Sequence, residues 1–155
     1  MDIKYLRELL NNVKNGNVSV EDALSDLKKL PFEDIGFAKI DHHRNIRNGF
    51  PEVIYSEGKT IEQIKEIVKK LIEKNNNIMA TRADYSVYEG IKEISGDAVY
   101  YERARIVVVK KKEILKSKKI IAVVSAGTSD IPVAEEAAVT CEVMGNVVER
   151  VYDVG

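Results

Sequence analysis

The stretch AVVSAGTSDIPVAEEAA, which begins at Ala122, constrains the fold more than any other part of the chain. An apolar run enters a turn of small residues, then a short acidic and proline-marked segment, then an alanine-rich helical pattern. With IIAVV leading in and NVVERVY following, the order is strand, turn, helix, strand. The helix is expected from about Ile131 to Met144, with Gly145 and Asn146 supplying its stop. One such unit is too small to cover both faces of a doubly wound sheet. The chain is therefore expected to be the N-terminal part of a longer protein, interrupted at VYDVG.

A second strand–helix–strand pattern lies upstream. PEVIYS reads as a buried strand, Thr60 and Gln63 have capping-box spacing, and Ile61, Ile64, Val68, Leu71 and Ile72 mark one helix face before NIMATR, the next strand. If the two strands are parallel neighbours, their crossover should be right-handed. YSVYEGIKEIS suits a further helix, and Ser95 to Asp97 a turn into the strands AVYYE and ARIVVV. GFAKI suits a short strand with Phe37 and Lys39 on one face and Ala38 and Ile40 on the other.

The first thirty or so residues are helical in pattern. Ile3, Leu6, Leu10 and Val13 recur at helical spacing, and Gly16 suits a C-cap. Ser19 and Asp22 then resemble a capping box for a second helix carrying Val20, Ala23, Leu24, Leu27 and Leu30, which Pro31 ends. The expected organisation is a helical hairpin over 1–30, an α/β domain over 31–110, a linker over 111–118 and the opening of a second, catalytic domain over 119–155. The lysine-rich KKKEILKSKK reads as that solvated linker in preference to a phosphate-steering patch.

Composition excludes several classes. A formal net charge of −1 over 155 residues, with lysines interleaved among glutamates, argues against a nucleic-acid binder. Cys141 stands alone, so neither an internal disulfide nor a thiolate metal cage can form within one chain. No signal-peptide pattern and no membrane-spanning apolar run occurs, and a cytoplasmic, soluble protein is the expectation.

The turn after IIAVV suits a phosphate, because small residues let a ligand approach backbone and the helix's first N–H groups point toward it. Gly127 gives room, Thr128 and Ser129 offer hydroxyls, and Asp130 can accept ribose hydroxyls or cap the helix. SAGTSD matches neither a Walker loop nor GxGxxG.

SAGTSDIPVAEEAA and the later VERVYDVG resemble the first strand, loop, helix and strand of the aminoimidazole ribonucleotide carboxylase/mutase fold. They resemble more closely the pyridinium biscarboxylate mononucleotide synthase family, which begins nickel-pincer cofactor synthesis. GFAKIDHHRNIRNGFPEVIYSEGKT and MATR extend this likeness over nearly the whole chain. The resemblance implies a parallel-sheet, flavodoxin-like catalytic domain and an oligomeric enzyme acting on nicotinic acid adenine dinucleotide. Such an enzyme adds a carboxyl group from CO2 or bicarbonate to the pyridinium ring and cleaves the phosphoanhydride to release AMP. It holds no tight cofactor, with Mg2+ admitted as an assisting ion. In the purine enzyme a GSxSD loop holds the ribose phosphate; its last two positions fall on Ser129 and Asp130, while its first serine is Gly127 here. The lost contact then falls to Thr128, Ser125 or backbone.

An electron-poor pyridinium needs a nucleophile added before it can attack CO2, and a thiolate would serve. The resemblance places that cysteine beyond Gly155. Cys141 shares a stripe with Ala134, Ala137, Ala138 and Met144 and is expected to be a buried packing thiol. Asp41, His42, His43, Arg44 and Arg47 concentrate charge in one segment. Adjacent histidines on a strand face opposite ways and do not share a metal, so an anion cluster of Asp41, His43, Arg44 and Arg47 competes with a plain surface turn. Lys59 before a helix and Arg82 after a strand can meet a ligand at a sheet edge, or be surface charges. Two alternatives stand beside the synthase: a carboxyaminoimidazole ribonucleotide mutase, and a non-catalytic nucleotide-binding or assembly module.

Overall fold

The computed structural model describes residues 3–28, 33–40, 52–73, 77–111, 113–114 and 117–155. The chain divides after Glu52 into two compact units. In the first, α1 (Ile3–Lys14) and α2 (Val20–Lys28) form the expected helical hairpin. Gly16 adopts φ 75° just past α1, a left-handed conformation that glycine tolerates without a Cβ penalty. Ser19 Oγ accepts the Asp22 N–H at 3.0 Å and donates to Asp22 Oδ2 at 2.7 Å. The shorter aspartate thus takes the hydroxyl where a capping-box glutamate takes the backbone N–H. The apolar seam is one position away from that expected on α1: Leu9 is buried and Leu6 and Val13 half-buried, whereas Leu10 is exposed. Two-residue strands β1 (Glu33–Asp34) and β2 (Lys39–Ile40) pair antiparallel, so the strand expected over GFAKI keeps only its last two residues.

The second unit is mixed α/β. A four-stranded sheet has the order β3 (Glu52–Tyr55), β4 (Ile78–Thr81), β6 (Ile106–Val109), β5 (Val99–Tyr101). β3 leads through α3 (Ile61–Glu73) to β4, and the Ser56 N–H donates to the Thr81 carbonyl at 3.0 Å, so the C-terminal ends of β3 and β4 lie together. The capping box that opens α3 is complete: Thr60 N–H donates to Gln63 Oε1 at 3.0 Å and Gln63 N–H to Thr60 Oγ1 at 3.2 Å. β6 runs antiparallel to both β4 and β5, with Ala80 opposite Val107 and Tyr100 opposite Val107 on its other side. α4 (Tyr85–Ile94) packs on α3 so closely that a Cβ on Gly90 would stand 2.7 Å from Ile61 Cγ2.

β7 (Ile120–Val124) and β8 (Val147–Val151) pair parallel through α5 (Ile131–Val143), as the sequence pattern predicts. Val139 of α5 joins Met79, Ala104 and Ile106 in one buried cluster, flanked by Val53, Val108, Val143 and Met144. One face of the four-stranded sheet is therefore covered by α5, and strand alternation turns Ile78, Ala80, Val107 and Val109 the other way. The expected Ala137/Cys141 stripe is corrected: Ala134, Ala138 and Val139 are buried, Ala137 is exposed and Cys141 half-buried. An alanine-rich helix with apolar residues on most sides does not mark its core face in the sequence. Among the described residues no helix is long and apolar enough to cross a membrane.

Candidate functional site

The parallel strands end side by side. Ser125 N–H donates to Val151 O at 3.1 Å, Val154 N–H to Ser125 O at 3.3 Å and Gly155 N–H to Ala126 O at 3.0 Å, which knits the loop after β7 to the segment after β8. Crevices at the carboxyl ends of parallel strands are where α/β sheets take ligands. A short 3-10 turn, Thr128–Asp130, leads into α5, whose first turn holds Pro132, a residue that lacks an N–H where none is needed. Thr128, Ser129 and Asp130 are all exposed. The Ser125 hydroxyl oxygen is buried without a hydrogen-bond partner, a state that costs free energy unless something supplies one.

Asp130 does not reach away from the loop. Its Oδ2 accepts the Gly127 N–H at 3.1 Å, and its own N–H donates to Gly127 O at 3.0 Å. It closes the loop on itself, and no side-chain cap bond to α5 forms. Asp153, after β8, stands at φ 61°, and the Thr128 hydroxyl donates to its Oδ1 at 3.4 Å. A second carboxylate thus sits across the crevice, which sequence reasoning missed. The backbone sign that sets it apart leaves no mark in DVG.

At the end of the four-stranded sheet the structure assembles a second group. Lys59, half-buried, donates from Nζ to Tyr55 O at 2.8 Å. Arg82, directly after β4, pairs through Nη2 with Glu136 Oε2 of α5 at 3.2 Å. Arg82 and Arg105 both adopt left-handed backbone, at φ 53° and 51°. Such a conformation costs a non-glycine residue roughly 1–2 kcal/mol. They are coupled, since Ala83 N–H donates to Arg105 O at 2.8 Å and Arg105 Nη2 donates to Arg82 O at 3.4 Å. Sequence reasoning missed Arg105 as well. The signal was available: ERAR turns between two antiparallel strands with no glycine or asparagine to take a positive φ.

Comparison with known proteins bears on both places. The family described as "LarB/PurE-like N-terminal domain" matches residues 32–112. The chain belongs to that family. It is also 38% identical over 165 residues to an uncharacterised protein of Methanocaldococcus jannaschii, an alignment that covers 98% of this chain and 62% of the relative. The chain thus spans less than two thirds of the length of that relative.

The LarB/PurE-like domain match contains Lys59, Arg82 and Arg105, while the strand-end loop from Ser125 to Asp130 lies after it. The Arg82–Glu136 pair ties the matched domain to the helix that follows the loop. Asp41, His43, Arg44 and Arg47 also fall inside the match but outside the described residues. Among the described residues no group of three His, Cys, Asp or Glu could hold a metal. Arg150 is committed to holding α5 against β8, gripping Glu142 through Nη1 at 2.6 Å and Nη2 at 2.8 Å and reaching Glu135 through Nε at 3.4 Å. That fork holds the Glu142 carboxyl below its ordinary range, chiefly by hydrogen bonding.

Proposed function

We propose that the protein is a carboxylase of the LarB/PurE-like type whose substrate is nicotinic acid adenine dinucleotide, with the crevice between the ends of β7 and β8 receiving a phosphate-bearing part of it. The observation that carries the reading is the Ser125 hydroxyl, buried and unpartnered in a loop whose other polar groups, on Thr128 and Ser129, are exposed. A phosphate oxygen would give that hydroxyl its partner, and the positive end of the α5 dipole favours negative charge there. Asp130 holds the loop's shape through one carboxylate oxygen on Gly127, and its other oxygen, together with Asp153, is proposed to accept ribose hydroxyls.

In the proposed reaction a thiolate from the longer protein adds to the pyridinium ring. An electron-enriched ring carbon then forms a bond to CO2 and loses its proton, and the C–S bond breaks at the carbon where the thiolate had added, which restores the aromatic pyridinium. Water cleaves the phosphoanhydride and AMP leaves. Lys59 and Arg82, at the sheet edge, are proposed to help hold the dinucleotide, and a homo-oligomer is proposed as the working form. The longer protein, given the dinucleotide, bicarbonate and Mg2+, should yield AMP and a biscarboxylated mononucleotide in equal amounts. Absence of AMP, or turnover of carboxyaminoimidazole ribonucleotide instead, would refute the reading. Gly127, where the purine enzymes' pattern has its first serine, disfavours that alternative.

A further inference from the structure

Beyond the proposed reaction, and independently of it, we infer that the four-stranded-sheet domain has a nucleoside monophosphate site of its own, in which Tyr85 stacks on the base and Arg105 binds the phosphate. Three tyrosines cluster at the start of α4. Tyr88 and Tyr100 stack with centroids 5.3 Å apart and planes at 14°, and Tyr85 stands 5.7 Å from Tyr88 and 6.3 Å from Tyr100. The inner two are half-buried, but Tyr85 is 60% exposed, so a large aromatic surface is held in place by its neighbours and left open. Lys92 Nζ, 5.1 Å from the centroid of Tyr88, adds positive charge to the rim. Pre-ordered aromatic faces of this kind take nucleobases with little regard to sequence.

The same corner carries a cation that makes no contact ion pair among the described residues, although the Asp84 carboxylate feels its charge. Tyr100 donates its hydroxyl to Ala83 O at 3.2 Å, and Ala83 N–H donates to Arg105 O at 2.8 Å, so the aromatic cluster and Arg105 share one short piece of backbone. Among the described residues Arg105 has no carboxylate within ion-pair distance; its guanidinium donates to the Arg82 carbonyl, and its charge is felt by Asp84 and Tyr100. Arg82 is three residues before Tyr85, so at most about 11 Å separates their Cα atoms. Asp84, the nearest carboxylate in sequence to Tyr85, is occupied by the Ser86 hydroxyl at 2.6 Å and the Val87 N–H at 3.0 Å. Glu136 is taken by Arg82, and Glu57 accepts the Tyr55 hydroxyl. An arginine kept in a left-handed turn, where glycine would be free of strain, is explained if its side chain is required. A planar guanidinium and an open aromatic face tied to the same short piece of backbone match a phosphate and a base joined by a sugar.

The chain itself, titrated by calorimetry with AMP, ribose 5-phosphate and adenosine, tests this. AMP should bind at least about tenfold more tightly than either part. Arg105→Gly, which relieves the backbone, should unfold no more easily than the parent yet lose at least about tenfold in AMP affinity, and Tyr85→Ala should lose as much for AMP but under about twofold for ribose 5-phosphate. Ser129→Ala, in the strand-end loop, reports any AMP taken up there, and the losses at Arg105 and Tyr85 should exceed its loss at least about fivefold. The inference is overturned if AMP does not bind, if Arg105→Gly or Tyr85→Ala binds it as the parent does, or if only Ser129→Ala weakens it. Tighter binding of a uridine oligonucleotide than of AMP would likewise overturn it, in favour of single-stranded RNA.

Discussion

Gly90 offers a test in which two opposing effects of known size meet at one atom. It lies buried in α4, where an added Cβ would stand 2.7 Å from Ile61 Cγ2 and 3.6 Å from two carbons of Lys65. Within a helix, alanine is favoured over glycine by about 1 kcal/mol. Against this, carbon atoms pack at about 3.5–4.0 Å, and the Ile61 methyl hangs on a β-branched carbon with one strongly preferred rotamer in a helix. Overpacking of this kind costs about 1–3 kcal/mol. The clash outweighs the propensity gain, so Gly90→Ala should destabilise the chain by about 1 kcal/mol. Urea unfolding should show a lower midpoint at unchanged slope. Ile61→Ala removes the offending methyl, and in that background Gly90→Ala should raise the midpoint, a stability gain of about 0.5–1 kcal/mol. A coupling of more than about 1.5 kcal/mol between the two sites is the signature. Gly90→Ala raising stability in the parent chain, or shifting both backgrounds alike, would refute the packing argument.

Asp97 is held below the usual carboxylate range by the Ser95 hydroxyl and by Lys111 Nζ at 2.9 Å. A depressed folded value means that its stabilising contribution is complete above the unfolded pKa of about 3.9 and disappears as pH falls through the folded one. Asp97→Asn should flatten the fall of thermal stability below about pH 4, and an unchanged profile would count against the linkage. Asp84→Ala removes the acceptor for Val87 N–H and should cost about 1 kcal/mol by chemical denaturation, with Asp84→Asn costing less than half of that. In the longer enzyme proposed above, Asp130→Asn, which can still accept from Gly127, should leave the melting temperature nearly unchanged and lower kcat/KM at least about tenfold, equivalent to about 1.4 kcal/mol. Wild-type kinetics in that variant would make Asp130 a loop clamp alone.

What was legible in the sequence was what neighbours in sequence decide. The Thr60/Gln63 box, the glycine ending α1 and the parallel β7–β8 unit depend on spacing within a few residues or on one long periodic run, and the structure has them. The α1 seam slipped from Leu10 to Leu9 because both residues fit a broad apolar stripe, and the partner helix selects between them. Ala137 and Cys141 were misplaced for a related reason: α5 meets both a parallel strand pair and the four-stranded sheet, so apolar residues occur almost all round it. At the strand-end loop the residue types were readable but not their directions. Asp130 reads equally well as a ligand group or a clamp until its carboxylate is seen on Gly127. Arg105 and the tyrosine cluster depend on chain segments that only the antiparallel β5–β6 pairing brings to Ala83.

The place of Val139 against Met79, Ala104 and Ile106 has a consequence for the moment of synthesis. The last strand of the four-stranded sheet, β6, ends at Val109, and the helix that covers its α5 face arrives roughly thirty residues later. At about 5–20 residues per second, the ribosome leaves that face bare for about 2–6 seconds. A naked sheet of valine, isoleucine and methionine is the kind of surface on which nascent chains join one another. The residues that emerge in that interval begin with KKKEILKSKK. Positive charge tethered directly to an uncovered strand would repel a second nascent chain in the same state.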